Sequence, residues 1–295
     1  MSLGLVALCS LSTAALAQSS TPKTESGENA LEAAPEWKAT AQAGLLLTTG
    51  NAFTTSLSSG LRATRKAGKN KLQLDLGGAF AKSAVYVATD ADANGSIDES
   101  EYNRITQTTT QSWLAKGRYD RFLSARNALY TSVSASADKP AGRTLIGSGQ
   151  LGYSRTLVKS PTHELVLESG YDFTYEDLSR AVSVSIHSLR VFAGYQSTLS
   201  PDTSLEISME GLFNINELET SSGPVAEFKD TRFNSQVSLT TSIYGAVSFR
   251  FSFQSRFDDN PAPRPNPAVP FNSGFAPLAN KLDTRTEAAI IVSFL

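Results

Sequence analysis

The residues whose spacing speaks most directly to chemistry run from Asp90 to Glu101. In order they are Asp90-Ala91-Asp92-Ala93-Asn94-Gly95-Ser96-Ile97-Asp98-Glu99-Ser100-Glu101. An EF-hand calcium loop places oxygen ligands at positions one, three, five, seven, nine and twelve, with glycine at six for the sharp turn. Here Asp90, Asp92 and Asn94 would supply side-chain oxygens and Ser96 its backbone carbonyl. Asp98 would contribute a direct or water-mediated contact, and Glu101 a bidentate carboxylate. Ile97 takes the apolar anchor position. The ligand carboxylates of Asp90, Asp92, Asp98 and Glu101 would repel one another without a cation, so Ca2+ is the expected cofactor. The competing reading is a solvated acidic turn, since Asp, Asn and Gly are common in turns. Tyr86 to Thr89 and Arg104 to Thr110 read as strand, which favours a site that stiffens a loop over a sensor that opens helices.

A second set of charged residues lies on alternating positions. Glu168, Asp172, Glu206 and Glu210 are the acids; Arg190, Arg232, Arg250 and Arg256 are the bases. If all face one lumen, the acidic and basic strands meet there. The outcome is either a charged, selective pore or a set of ion pairs that fills a narrow barrel, with the sequence leaning slightly to the second.

The elements that must position these groups are strands. Trp37, Ala39, Ala41, Ala43, Leu45 and Leu47 occupy every second position, with Lys38, Thr40, Gln42 and Thr48 between them. The alternation restarts after Gly50-Asn51, and again after Ala67-Gly68-Lys69-Asn70 with Leu72, Leu74, Leu76 and Phe80. Period two gives each strand one apolar and one polar face. The same unit recurs near 104–118, 127–137, 143–156, 163–177, 182–198, 203–217, 230–243, 245–258 and 282–295. Near His187 the parity slips, which suggests a bulge or a misjudged register. Tight or short connections follow strands two, four, six, eight and ten, while long ones fall at 87–103, 219–229 and 259–281. Short turns on one rim and long loops on the other describe an outer-membrane barrel. The expected fold is therefore all-β: a transmembrane, antiparallel, up-and-down β-barrel of about 12 strands, with both termini on the periplasmic side. The aromatic-rich strands exceed what a soluble sandwich needs.

Composition agrees. The 295 residues carry a formal net charge of −2, giving no basic field for nucleic acid. No apolar run approaches the ~20 residues of a spanning helix. Residues 1–17 read as a signal peptide ending in Ala15-Leu16-Ala17, although no Lys or Arg precedes Lys23. Residues 18–36 read as a flexible periplasmic leader and 37–295 as the barrel. Cys9 is the only cysteine, so the mature chain would hold no disulfide. Residues 259–281 hold six of the 12 prolines and favour extended structure, with Phe271 and Phe275 free to fold over the mouth or meet a partner.

The run from Ala43 to Leu57, Ala-Gly-Leu-Leu-Leu-Thr-Thr-Gly-Asn-Ala-Phe-Thr-Thr-Ser-Leu, resembles the opening of the YdiY-like, salt-induced outer-membrane proteins. The resemblance is strongest over 39–80. It implies a bacterial outer-membrane barrel without an assigned activity and carries over no catalytic residue. The last strand, with Ala288, Ile290, Val292 and Phe294, looks like the signal read by barrel-assembly machinery, except that Leu295 follows the aromatic residue. The expected partners are that machinery and outer-membrane lipid. The expected role is a passive narrow pore or a structural, stress-related envelope protein without enzymatic activity. The alternative is a calcium-dependent hydrolase of the outer-membrane phospholipase type. It would need a histidine base beside its serine. Only His163 and His187 exist, with Ser185 and Ser188 near the second, and no Asn-rich histidine–serine motif surrounds them.

Overall fold

The computed structural model describes residues 35–48, 53–88, 102–139, 143–178, 182–220, 223–261 and 281–294. The signal segment, the calcium-type loop 90–101, Phe271 and Phe275 lie outside these residues. Twelve strands close into one antiparallel barrel: β1 (Glu36–Thr48), β2 (Phe53–Ala67), β3 (Asn70–Ala88), β4 (Tyr102–Phe122), β5 (Asn127–Asp138), β6 (Arg143–Lys159), β7 (His163–Leu178), β8 (Val184–Ser200), β9 (Thr203–Asn214), β12 (Thr231–Tyr244), β13 (Val247–Asp258) and β14 (Leu282–Phe294). Two further short strands, β10 (Leu218–Thr220) and β11 (Gly223–Val225), form a separate hairpin. Each barrel strand pairs with its neighbour in the chain, except that β9 meets β12 across the hairpin and β1 meets β14 to close the ring.

Alternation makes this barrel a membrane object. Leu57, Leu61, Leu72, Leu74, Val133, Leu151, Val191 and Ile290 are exposed, while Gln73, Asp75, Arg118, Glu168, Asp172 and Arg190 on the other face are buried. That is the reverse of a soluble domain. In hydrocarbon the apolar face is satisfied, and ring closure leaves no unpaired sheet edge. Strands of 12–21 residues exceed the ~9–11 that a tilted transmembrane strand requires. Aromatic residues collect toward the two rims. Trp37, Tyr119, Tyr153, Tyr195 and Tyr244 sit near the short turns, and Phe173, Tyr175, Phe213, Phe233 and Phe257 near the long loops. Such girdles sit at the two lipid–water interfaces. Gly68 and Gly245 take positive φ (52° and 53°), which lets the β2–β3 and β12–β13 turns reverse the chain within two residues. The chain is an outer-membrane β-barrel.

The bulge expected near His187 is absent. β7 and β8 pair without interruption from His163↔Ser197 to Glu176↔Val184. The parity slips because Val184, Ile186 and Phe192 turn their apolar side chains inward. Val184 and Ile186 have apolar company there: Leu218 packs on them, with Val225 against the cluster. The segment after β9 thus holds a small hairpin over the inner face of β8. The asparagines explain why β9 stops at Asn214 rather than running on to 217. Asn214 Nδ2 donates to the carbonyls of Asn216 and Ala226 (2.9 and 3.0 Å), and its Oδ1 accepts from the Asp230 amide (2.8 Å). Asn216 Oδ1 accepts from the His187 amide (2.8 Å), pinning the loop to β8. Irregular pairing does occur elsewhere, at Ala81/Lys82 between β3 and β4 and at Thr156/Val158 between β6 and β7.

Candidate functional site in the barrel lumen

The inward faces of β4 through β9 carry charges within reach of one another across the barrel. Arg118 on β4 donates to Asp120 two residues along (2.7 Å) and to Glu168 on β7 (2.7 Å). Glu168 also accepts from Arg190 on β8 (2.8 Å), and Arg190 donates to Glu210 on β9 (2.6 Å). Asn234 on β12 donates to the second oxygen of Glu210 (3.0 Å). Tyr130 on β5 accepts from Arg190 (2.8 Å), and its ring lies 4.3 Å beneath the Arg118 guanidinium. Lys116 adds a half-buried cation beside Glu210. Three carboxylates thus face three cations, and nearly all are out of solvent. Such a cluster is stable only when every member is paired, and here the shared Glu168 is fully enclosed between two guanidiniums.

Glycines make the space for this knot. Gly152 on β6 and Gly170 on β7 are cross-strand partners, and Tyr130 lies over them. A Cβ on Gly152 would stand 2.6 Å from the Tyr130 hydroxyl. An aromatic ring over inward glycines covers backbone that lacks side chains of its own.

Toward the long-loop rim a second cluster forms. Arg232 reaches Glu176 (2.6 Å), Asp230 (3.2 Å) and Asp258 (3.7 Å), and Arg143 also approaches Asp258 (3.7 Å). Arg256 lies among Arg143, Arg232, Asp258 and Glu176. Asp172 takes no ion pair in the knot; it accepts from Gln150 (2.9 Å) and Thr174 (2.8 Å).

The opposite wall differs. Between β1–β3 and β9, β12–β14, toward the short-turn rim, lies a cavity of about 320 Å³. Gln42, Gln73 and Gln236 line it with several Ser and Thr hydroxyls, and no aromatic side chain projects into it. Lys38, Arg62, Lys71 and Arg250 face Asp75, Glu206 and Glu287 around it. These cations are tied back, Lys38 to Glu36 (3.0 Å), Arg62 to Asp75 on the neighbouring strand, and Arg250 to Glu206 (2.7 Å).

Six of the eight charged residues expected on a common face thus take ion pairs; Arg256 stands beside the second cluster, and Asp172 accepts hydrogen bonds instead. What strand alternation did not reveal was the pairing itself, or Tyr130. Its signal is present all the same: Tyr130 is a lone aromatic residue in register with Ser132 and Ser134. The histidines sit elsewhere. His187 is half-buried on the outer face, its Nδ1 hydrogen-bonded to the Tyr171 hydroxyl. Ser188, next along the strand, points into the lumen and is buried. His163, at the short-turn rim, meets Tyr195 (2.9 Å) and the buried Ser197 (3.1 Å). Among the described residues no cluster of His, Cys, Asp and Glu is arranged to hold a metal ion.

The family model for proteins of unknown function, DUF481, matches residues 41–294. The chain belongs to the DUF481 family. No curated protein matches it. Among solved structures, this DUF481 protein is similar to an outer-membrane channel of the COG4313 group from Pseudomonas putida F1, at 11% identity, over 93% of this chain and 99% of that one, with a TM-score of 0.49. It is also similar to the translocator domain of the autotransporter NalP from Neisseria meningitidis, at 14% identity, over 88% of each chain and with a TM-score of 0.41. The anion-selective porin of Comamonas acidovorans aligns at 9% identity over 88% of this chain and 99% of that one, with a TM-score of 0.36.

Proposed function

We propose that this barrel is a narrow, passive channel for small polar solutes, its path running off-centre along the wall of β1–β3 and β12–β14. One observation carries the reading: a polar cavity of about 320 Å³ lies beside a half of the lumen that side chains fill. Twelve strands stand between filled eight-stranded barrels and open porins, so partial filling suits the size. The lining offers amides, hydroxyls and paired charges, a water-like surface with no site for covalent chemistry. The motif at 43–57 supports a place beside the salt-induced envelope proteins. Planar-bilayer recording tests the channel. Discrete steps are expected, and Gln42→Trp with Gln73→Trp should abolish them by filling the cavity. Steps that survive both substitutions would sink the reading.

The same proposal includes one calcium ion in the loop 90–101, on the extracellular side. That loop joins β3 to β4, an outward-facing connection when the termini are periplasmic. External sites of this type bind at about 10⁻⁴–10⁻³ M, which extracellular calcium satisfies. Calorimetry on the detergent-solubilised barrel should show calcium heats that Glu101→Gln weakens most. Identical heats for the two proteins would make the loop merely acidic.

A further inference from the structure

The outer face of the barrel carries a repeated unit at its short-turn rim. Asn70 opens β3 and stands opposite Arg121, near the end of β4. Asn70 Oδ1 accepts from the Tyr119 hydroxyl and from Arg121 Nη1, both at 2.7 Å. Its Nδ2 donates back to the Ala67 carbonyl of the turn (3.4 Å), which sets the way the amide faces. One hairpin further on, Asn127 opens β5 and stands opposite Arg155 on β6. Asn127 Oδ1 accepts from the Tyr153 hydroxyl (2.5 Å), and its Nδ2 donates to Ser124 Oγ of the turn (2.7 Å). Each unit thus joins an asparagine after a turn to a Tyr-x-Arg step, Tyr119-Asp120-Arg121 or Tyr153-Ser154-Arg155, on the paired strand. The β7–β8 pair repeats the frame, with His163 opposite Ser197 and bonded to the Tyr195 hydroxyl (2.9 Å), but has serine where the others have arginine.

Arg121 and Arg155 are exposed on the lipid side, next to exposed Leu72, Leu129 and Leu151. The acids of strands β2–β6 are Asp75, Asp120 and Asp138, and all three are buried on the inner face. No carboxylate therefore shares the outer face of these strands with the arginines. Among the described residues neither arginine takes an ion pair, and Arg155 takes no hydrogen bond either. Two guanidinium forks are thus left with donors to spare. Neighbouring strands lie about 4.8 Å apart, so β4 and β6 stand about 10 Å apart across β5, close enough for two long side chains to serve one group. Leu129 on β5 lies between the units, level with Arg121 on one side and Tyr153 on the other. The patch sits where the apolar belt meets the turns, at the lipid–water interface. A phosphodiester matches the guanidinium fork in charge and geometry. A zwitterionic head group would bring its ammonium to a face with no carboxylate to receive it.

We infer that these two Asn–Tyr–Arg units form a binding site for an anionic phospholipid, whose phosphate is held by Arg121 and Arg155 while its acyl chains lie over Leu72, Leu129 and Leu151. The turns orient the asparagines, and the asparagines hold the tyrosine hydroxyls. Asn70 also sets the Arg121 guanidinium in place before the lipid arrives. The site lies on the outside of the barrel and depends neither on conduction through the lumen nor on calcium in the 90–101 loop.

Native mass spectrometry of the detergent-solubilised barrel, given equal amounts of phosphatidylglycerol and phosphatidylethanolamine, tests the site. The phosphatidylglycerol adduct should be retained about tenfold over the other lipid, and Arg121→Gln with Arg155→Gln should remove that preference. Arg65→Gln is the control. Arg65 is exposed on the same rim but outside both units, its guanidinium over the Trp37 ring (5.6 Å). Its loss should change the adduct by less than about twofold. Equal retention of the two lipids by the unaltered barrel overturns the anionic site, and so does a double variant that keeps the preference. A loss from Arg65→Gln as large as that from the double variant assigns the binding to the charge of the whole rim and overturns the two units. Heat-modifiable migration shows that each variant is folded. Should the double variant form no barrel, Arg155→Gln alone, at a side chain without a partner among the described residues, should lower the adduct several-fold, and an unchanged adduct overturns the site.

Discussion

The two sides of the lumen are built from the same alternating strands yet do opposite things with their inward residues. On β4–β9, long charged side chains face one another at a spacing that lets each guanidinium reach two carboxylates, and Tyr130 over a glycine pair completes the fill. On β1–β3 and β12–β14, the inward residues are mostly short hydroxyls and amides, and the charges pair within one or two strands along the wall, as Arg62 does with Asp75 and Arg250 with Glu206. Filling therefore depends on side-chain length and on whether an ion pair spans the barrel or lies along its wall. A barrel of fixed strand number can be packed on one side and hollow on the other.

The comparison breaks most sharply at Glu168. Glu168→Ala leaves Arg118 and Arg190 buried without their shared carboxylate, and removing one partner of a buried pair costs about 3–5 kcal/mol. The urea midpoint of the heat-modifiable band should fall accordingly, and single-channel conductance should rise as the knot loosens. A smaller loss follows from Gly170→Ala. Its Cβ would stand 2.4 Å from the Leu151 carbonyl oxygen and 2.9 Å from the Tyr130 hydroxyl, and overpacking of this kind costs about 1–3 kcal/mol. The same midpoint reads it, and Gly147→Ala, with open space around it, should leave the midpoint in place. Tyr130→Phe removes one acceptor from Arg190, a loss of about 1–3 kcal/mol at a buried group. The smallest change in stability belongs to the open side. Arg250→Gln takes one charged partner from Glu206, a buried carboxylate that keeps another partner and borders the cavity, and should cost about 1 kcal/mol. It should nevertheless move the reversal potential in a salt gradient toward cation selectivity, because the cavity loses a cation. Equal stability losses from Glu168→Ala and Arg250→Gln would erase the distinction between the two sides.

The strands were legible because lipid and lumen impose opposite demands on neighbouring residues, and Leu205 to Ile215 or Val247 to Phe253 obey both. Two features escaped that rule. Inward Val184 and Ile186 imitate a register slip, since their partner Leu218 arrives from a separate hairpin that alternation does not announce. The Arg118–Glu168 pair joins residues 50 apart through the tilt and stagger of the closed barrel, which no local pattern encodes. The same holds for the cavity, whose walls are distant in sequence. The calcium-type loop, by contrast, was read wholly from local spacing.

The β1–β14 seam, paired only from Ala39↔Phe294 to Ala43↔Ile290 among the described residues, bears on the order of assembly. Ten of the twelve junctions join consecutive strands and one spans the hairpin, so each can zip as its neighbour arrives at small loop-closure cost. Only β1 and β14 must find each other across nearly the whole chain, and they gain the fewest backbone pairs by doing so. Closure is therefore the last and most weakly rewarded event in folding. A sheet that has formed eleven junctions is a curled ribbon with two open edges, and until it shuts, Ala39–Ala43 and Ile290–Phe294 are the backbone segments left without their strand partners.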